Sequence, residues 1–340
     1  MNLPGISIVV PSFNQGQYLE ETLLSIITQE YPNLELFVVD GGSRDNSVDI
    51  IKKYAGQITW WISEKDSGQS EAINKGFTKA SGEIISWLCS DDLYTPGTLH
   101  KVAEYFTAAP GDTGLVHGGT ALFRGQEEVR TDWGYPEPML ERNLAGMAFS
   151  QPSAFFRKKY LDMIGGRVNE SLHYGMDYDL YCRLACVCRF LPVPDIFSRY
   201  RLHQQSKSLA EQDRFIDDWH RTFVNLCKNL DWHDQLRELE LSGMIEKEIL
   251  SWYQPFSFQP EQQMLNRADK KKILFYTYCY TLRAWYKSGL FKKAGRLARM
   301  IRDNYPENWW QEEKGIATIM SRVFYPPVLI RLARKLKSSL

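Results

Sequence analysis

Ile6-Ser7-Ile8-Val9-Val10, ending at Pro11, and Leu34-Glu35-Leu36-Phe37-Val38-Val39, before Asp40, decide how this chain folds. Each is a short apolar run, rich in β-branched residues, the pattern of a strand buried on both faces of a parallel sheet. Between them, residues 18–29 place Leu19, Thr22, Leu23, Ile26 and Ile27 on one side of a helix, so the segment is a strand-helix-strand unit. The alternation continues with helices expected over 43–54, 72–80, 95–106 and 178–188, and strands over 58–62, 83–88, 114–123 and 195–200. An α/β fold with a largely parallel sheet follows.

The texture changes near Gln205. Trp219, Phe223 and Leu226, then Leu236, Leu239 and Leu241, recur at helical spacing, and residues 271–304 read as a helical hairpin turning at Ser288-Gly289. Two regions are therefore expected, an α/β domain over 1–205 and an α-helical region over 206–340. Net charge is zero, but residues 1–204 hold 25 acids against 18 bases and the remainder 16 against 23. No window is apolar enough to span a bilayer, and the first ten residues lack the basic flank and cleavage site of a secretory signal. The expected compartment is the cytoplasm, with the six scattered cysteines as free, mostly buried thiols.

In an open α/β sheet, ligands bind beyond the carboxyl ends of the strands. Residues 11–14, 40–45, 66–70 and 90–92 each follow a strand and should converge there. Asp91-Asp92 puts two like charges at that edge, a costly arrangement unless a cation arrives. Hard divalent cations favour carboxylate oxygens completed by phosphate oxygens, which suits a nucleoside diphosphate; the alternative is a solvated turn in which Asp92 caps the next helix.

The ordered set Ile6 to Asn14, Leu23 to Gln29, Val38 to Asp45, Asp66-Ser67-Gly68-Gln69-Ser70 through Gly76, Gly82-Glu83, Ser90-Asp91-Asp92, Gln151-Pro152, Met176-Asp177-Tyr178-Asp179-Leu180 and Arg201-Leu202-His203 strongly resembles family 2 glycosyltransferases of the GT-A fold. The resemblance implies a GT-A, Rossmann-like domain with a C-terminal helical extension. It implies nucleoside contacts at Pro11, Ser12, Asn14 and Asp40, with a second contact region at Asp66, Gln69 and Ser70. Gly41 stands where the commoner pattern has a second acid, which leaves the choice of base open. Asp92 is implied as the Mg²⁺ or Mn²⁺ ligand, Asp91 as a contact to the ribose or donor sugar, and His203 as a phosphate or metal contact. Asp177 is implied as the base of an inverting transfer, Gln151 and Trp87 as acceptor-side residues. From the residues alone, Asp177 and Asp179 equally suit the N-cap and first turn of a helix.

Residues 328–340 carry Leu329, Leu332, Ala333 and Leu336 on one helical face with Arg331, Arg334, Lys335 and Lys337 around it. A basic amphipathic helix suits an anionic membrane surface, so 326–340 is a candidate for peripheral contact with the inner face of the cytoplasmic membrane; packing on the hairpin is the alternative. The family context implies a donor built on UDP, GDP or dTDP and a saccharide or lipid-linked acceptor in O-antigen, capsule or exopolysaccharide synthesis. Nucleic acid is not among the expected partners. A nicotinamide dehydrogenase is excluded because Pro11 to Gly16 lacks the glycine-rich turn. A non-catalytic carbohydrate-binding or scaffold protein of the same fold is the rival reading, against which Asp91, Asp92 and Asp177 are all present.

Overall fold

The computed structural model describes residues 3–137, 139–203, 212–326, 328 and 330. β1 (Ile6–Ser12) lies between β2 (Leu34–Asp40) and β4 (Ile84–Trp87), parallel to both, and β3 (Trp60–Ser63) extends the sheet beyond β2. All seven residues of β1 are buried. Its side chains alternate: Ile6, Ile8 and Val10 pack with Leu19, Leu23 and Ile26 of α1 (Gly16–Ile27), whereas Val9 faces Ile73 and Phe77 of α3 (Gln69–Lys79). The helix and strand approach closely, because a Cβ on Gly76 would come within 2.4 Å of Val9 Cγ1.

The parallel expectation holds for these four strands, and beyond β4 the sheet is mixed. A short pair, β5 (Leu93–Tyr94), precedes α4 (Thr98–Ala108), and β6 (Thr113–Arg124) forms a hairpin with β7 (Glu127–Asp132). β8 (Ala154–Arg157) then inserts antiparallel between β4 and β6, and β9 (Arg189–Arg201) runs parallel to β6. The order is β3-β2-β1-β4-β8-β6-β9-β5, with β7 beside β6. The third strand begins at Trp60, later than expected. α2 (Ser47–Lys53) also starts late, because residues 40–46 are held in a loop by side-chain hydrogen bonds described below.

Two helices of the α/β part follow β7: α5 (Leu140–Ala145) and α6 (Lys158–Met163); α7 (Met176–Ala185) precedes β9. The helical region comprises α8 (Gln212–Asn229), α9 (His233–Ser242), α10 (Lys247–Ser251), α11 (Gln262–Leu265), α12 (Lys270–Lys287), α13 (Phe291–Asn304), α14 (Glu307–Glu312) and α15 (Ile316–Arg322). The hairpin of α12 and α13 turns at Gly289, whose φ of +78° suits glycine. Phe223 and Cys227 of α8 and Leu274, Tyr278 and Leu282 of α12 join the same hydrophobic core as Val9, Ile73 and Leu180. The change of texture at 205 is thus a change of element type within one continuous core.

Where that core meets α5, the buried carboxylate of Glu313 pairs with Arg142 and Arg283, and the Arg142 guanidinium lies between the rings of Tyr135 and Tyr276. All six cysteines are free thiols, five of them buried. Among the described residues no helix is long and apolar enough to cross a membrane. Most of the expected basic tail, 327, 329 and 331–340, lies outside the described residues.

Candidate active site

Asp40 ends β2 fully buried, and its carboxylate accepts hydrogen bonds from Gly42 N (3.1 Å), Ser43 N (2.9 Å), Ser43 Oγ and Ser63 Oγ (2.7 Å). Its main work is to shape the loop after β2. Asn14 adopts a left-handed conformation (φ +51°), donates its N–H to Ser43 Oγ (2.7 Å) and accepts Arg44 N at Oδ1 (2.9 Å). Asp45 accepts the N–H of Gly16 at the start of α1 (2.8 Å) and also holds Ser47. The loops after β1 and β2 are therefore one cross-linked unit. Beside Pro11, which is buried in β1, the hydroxyl of Ser12 is buried without a hydrogen-bond partner among the described residues. Such a group is costly unless a ligand completes it.

Asp66 follows β3 and accepts Gly68 N (3.0 Å). A Cβ on Gly41 would come 2.9 Å from Asp66 Oδ2, so the glycine makes room for that carboxylate. Burial raises the Asp66 pKa, and the nearby charges of Glu71 and Asp40 add to the rise. Gln69 donates to Cys89 Sγ (3.1 Å), tying this loop to the end of β4. Ser70 behaves differently from the expectation of a ligand contact: its buried hydroxyl points at Met176 Sδ (2.7 Å) and the Leu172 carbonyl (3.5 Å), bracing the start of α7. A cavity of about 180 Å³ opens between residues 67–71 and Glu170, His173 and Tyr174.

Ligand atoms of Cys89, Asp91 and Asp92 all lie within 4.8 Å of one another. Asp92 is 1 % exposed, accepts Arg201 N at Oδ1 (3.0 Å), and is pushed well above the usual carboxylate range by burial and then by Asp91. Asp91 is more open, and His203 Nε2 lies 2.8 Å from its Oδ2. Arg201 also bonds the Asp91 carbonyl (2.9 Å) and Glu21 (2.6 Å), so the end of β9 is delivered to the acid pair. A buried, proton-hungry carboxylate beside a second acid is the donor set expected of a divalent-cation site, and its oxygens suit Mg²⁺ or Mn²⁺ better than the thiol of Cys89 does.

Asp177 lies in the first turn of α7, whose N-cap is Gly175, and accepts Tyr178 N (2.8 Å). Burial chiefly, with a contribution from the charge of Asp218, raises its pKa to about 6. Asp179 is otherwise engaged: it is buried and paired with Arg183 (2.7 Å), which also donates to the carbonyls of Ile164 (2.9 Å) and Arg167 (3.0 Å). Asp177 has the raised pKa that suits a general base near neutral pH, whereas Asp179 is committed to its ion pair.

The model of glycosyl transferase family 2 matches residues 7–165. Over that stretch the chain is similar to that family. An uncharacterized glycosyltransferase of Rickettsia typhi is 24% identical over 283 residues, covering 80% of this chain and 86% of that protein. An uncharacterized glycosyltransferase of Haemophilus influenzae is 36% identical over 108 residues, 31% of this chain and 43% of that protein. Among solved structures, the mannosyltransferase PcManGT from Pyrobaculum calidifontis, in complex with GDP-Man and Mn²⁺, superposes with a TM-score of 0.56 at 16% identity over 99% of this chain and 85% of its own. S. aureus TarS 1–349 in complex with UDP-GlcNAc gives 0.54 at 15% identity, covering 93% and 89%. These likenesses establish a GT-A type fold.

Trp87 is not the acceptor-side platform expected from its place at the end of β4. Its ring is 1 % exposed, stacked on Tyr181 (6.0 Å between centroids) and edge-on to Phe77 and Phe156. β4 is covered on both faces, so the side chain has no route to solvent. Gln151 is half-buried, and its amide donates to the Trp87 carbonyl (2.9 Å).

Asp218 is the residue that sequence reasoning missed. It is buried on α8 and accepts Tyr174 N (2.8 Å) and Gly175 N (3.2 Å), while Arg221 holds its other oxygen (2.8 Å). A Cβ on Gly175 would come 2.8 Å from Asp218 Cβ, which shows how closely α8 is seated on the turn before Asp177. Its only sequence signal is an acid flanking the apolar Trp219–Phe223 face. Asp218→Ala should lower kcat about 10- to 100-fold by misplacing Asp177, with donor affinity unchanged in a nucleotide titration. Gly41→Ala makes the complementary case on the donor side. The clash with Asp66 should cost about 1–3 kcal/mol of stability in chemical denaturation and weaken nucleotide binding by calorimetry.

Proposed function

We propose that this glycosyltransferase moves a sugar with inversion from a nucleoside diphosphate sugar to a saccharide or lipid-linked saccharide acceptor in bacterial surface polysaccharide synthesis. The observation that carries the reading is that Gln69 and Ser70, neighbours at the start of α3, contact Cys89 and Met176, so one loop joins the end of β4 beside the Asp91–Asp92–His203 cluster to the turn that holds Asp177, an acid with a pKa of about 6. Ser12, Asn14, Asp40, Asp66 and Gln69 would form the nucleotide side, Asp40 by shaping the loop and Ser12 by offering a hydroxyl with no partner among the described residues.

Asp177 as carboxylate takes the proton of the acceptor hydroxyl while that oxygen bonds the anomeric carbon and the bond from that carbon to the diphosphate breaks. The nucleoside diphosphate leaves from the opposite face, which inverts the centre. Mg²⁺ or Mn²⁺ held by Asp92 and Asp91 would supply the charge that stabilises the leaving diphosphate. His203 steadies Asp91 and, when protonated, can pair with a phosphate oxygen. The GDP-Man, Mn²⁺ and UDP-GlcNAc held by the similar structures support a nucleotide-sugar donor. The test is release of nucleoside diphosphate from UDP, GDP and dTDP sugars with Mg²⁺ or Mn²⁺. At least one donor should turn over with wild type and not with Asp92→Asn; equal release from both would refute the assignment.

A further inference from the structure

α13 turns Phe291, Ala294, Leu297, Ala298 and Ile301 inward against the rest of the helical region. Its outer side is basic. Lys292, Arg296 and Arg299 follow one another at helical spacing, Lys293 and Arg302 flank them, and all five are exposed. The acid on that side, Asp303, lies 3.3 Å from Arg302. The chain leaving α15 comes back beside this row: the Arg299 and Arg302 guanidinium groups stand 5.5 and 5.9 Å from the Phe324 ring. Phe324, Tyr325 and Val328 are 45%, 59% and 65% exposed, so apolar side chains protrude next to the cations.

We propose that this face docks the protein on an anionic lipid bilayer, with Lys292, Arg296, Arg299 and Arg302 at headgroup phosphates and Phe324, Tyr325 and Val328 entering the interface. Cations whose long stems can extend to the headgroups, beside aromatic and aliphatic side chains that prefer the boundary below, match the two layers such a surface presents. A nucleic acid is a poorer match, because an exposed valine offers it nothing and residues 1–204 carry a net excess of acids that would repel a long polyanion. The same asymmetry orients the protein, since attraction to the bilayer is confined to the helical region. The assignment stands apart from the catalytic reading, because no residue of the face belongs to the candidate active site.

Flotation of the full chain with phosphatidylcholine vesicles containing about 30 mol % phosphatidylglycerol tests this. The protein should float with these vesicles, not with pure phosphatidylcholine, and should be released by about 0.5 M salt. Arg296→Glu with Arg299→Glu, and separately Phe324→Ser with Tyr325→Ser, should each reduce the bound fraction about tenfold. Their melting temperatures and donor turnover in solution should stay at wild-type values. A chain ending at Ile330 should keep the preference for anionic vesicles, which separates this face from the basic residues beyond it. The proposal is overturned if the double variants float like wild type, if truncation at Ile330 alone abolishes flotation, or if the protein binds single-stranded RNA and not the vesicles.

Discussion

Asp177→Asn should reduce sugar transfer about 10³-fold while leaving metal-dependent nucleotide binding intact. The substitution keeps the shape of the side chain and its acceptor oxygen for Tyr178 N, so the first turn of α7 survives and only the proton acceptor is lost. Wild-type kcat should rise with pH through about 6 and level off above it, because the carboxylate form is the active one. Asp218→Ala should displace that midpoint downward, since it removes a neighbouring negative charge.

The same shift has a stability consequence with a definite sign. The folded pKa of about 6 lies above the ordinary aspartate value of 3.8, so the native state holds this proton more tightly than the unfolded chain does. Its ionisation therefore costs stability, fully above pH 6 and not at all below about pH 4. Asp177→Asn should melt higher than wild type at pH 8, and the gain should fade as pH drops through 6 toward 4. An enzyme that becomes inactive and more stable at once is the signature of a buried functional acid. A merely structural Asp177 would give the opposite: lower stability with activity little changed.

How much of this was legible in the sequence follows from the range of the interactions. β1, α1, β2 and α3 are set by local periodicity and by burial on both faces, and all four stand where their apolar patterns place them. The hairpin of β6 and β7 and the antiparallel insertion of β8 were not legible, because strand direction depends on pairing between distant segments and leaves no mark in a short apolar run. At the site, the loop residues were readable since each follows a strand. What each side chain does was less so. Asp40, Ser70 and Trp87 have the right type and place, yet their partners are Ser43, Met176 and Tyr181, which only the folded chain brings to them. Asp218 lies on α8 and the acid it braces on α7, with β9 between them in the chain, so no motif joins them. Gly41 is the reverse case: an apparent loss in the motif is explained once Asp66 is seen filling its space.

Asp92→Asn should abolish the stabilisation that Mn²⁺ and donor nucleotide together confer, and lower turnover by several kcal/mol of transition-state stabilisation, about 10²- to 10³-fold. Without metal the variant should melt higher than wild type, because two acids share a pocket in which Asp92 is almost wholly buried and Asn removes one of the like charges. Asn also keeps the oxygen that accepts Arg201 N, so the link to β9 survives. With Mn²⁺ and nucleotide present the order should invert, since only the wild type can bind and be stabilised by mass action. Asp91→Asn should be less benign to the apo protein. Its carboxylate is the partner of His203, and an amide in its place weakens the contact that holds residues 201–203 over the pair. Differential scanning fluorimetry of the three proteins, with and without Mn²⁺ and nucleoside diphosphate, separates these cases. A crossover in melting order for Asp92→Asn and none for a control such as Asp195→Asn would identify the pair as a metal site; parallel shifts would make Asp92 a structural acid.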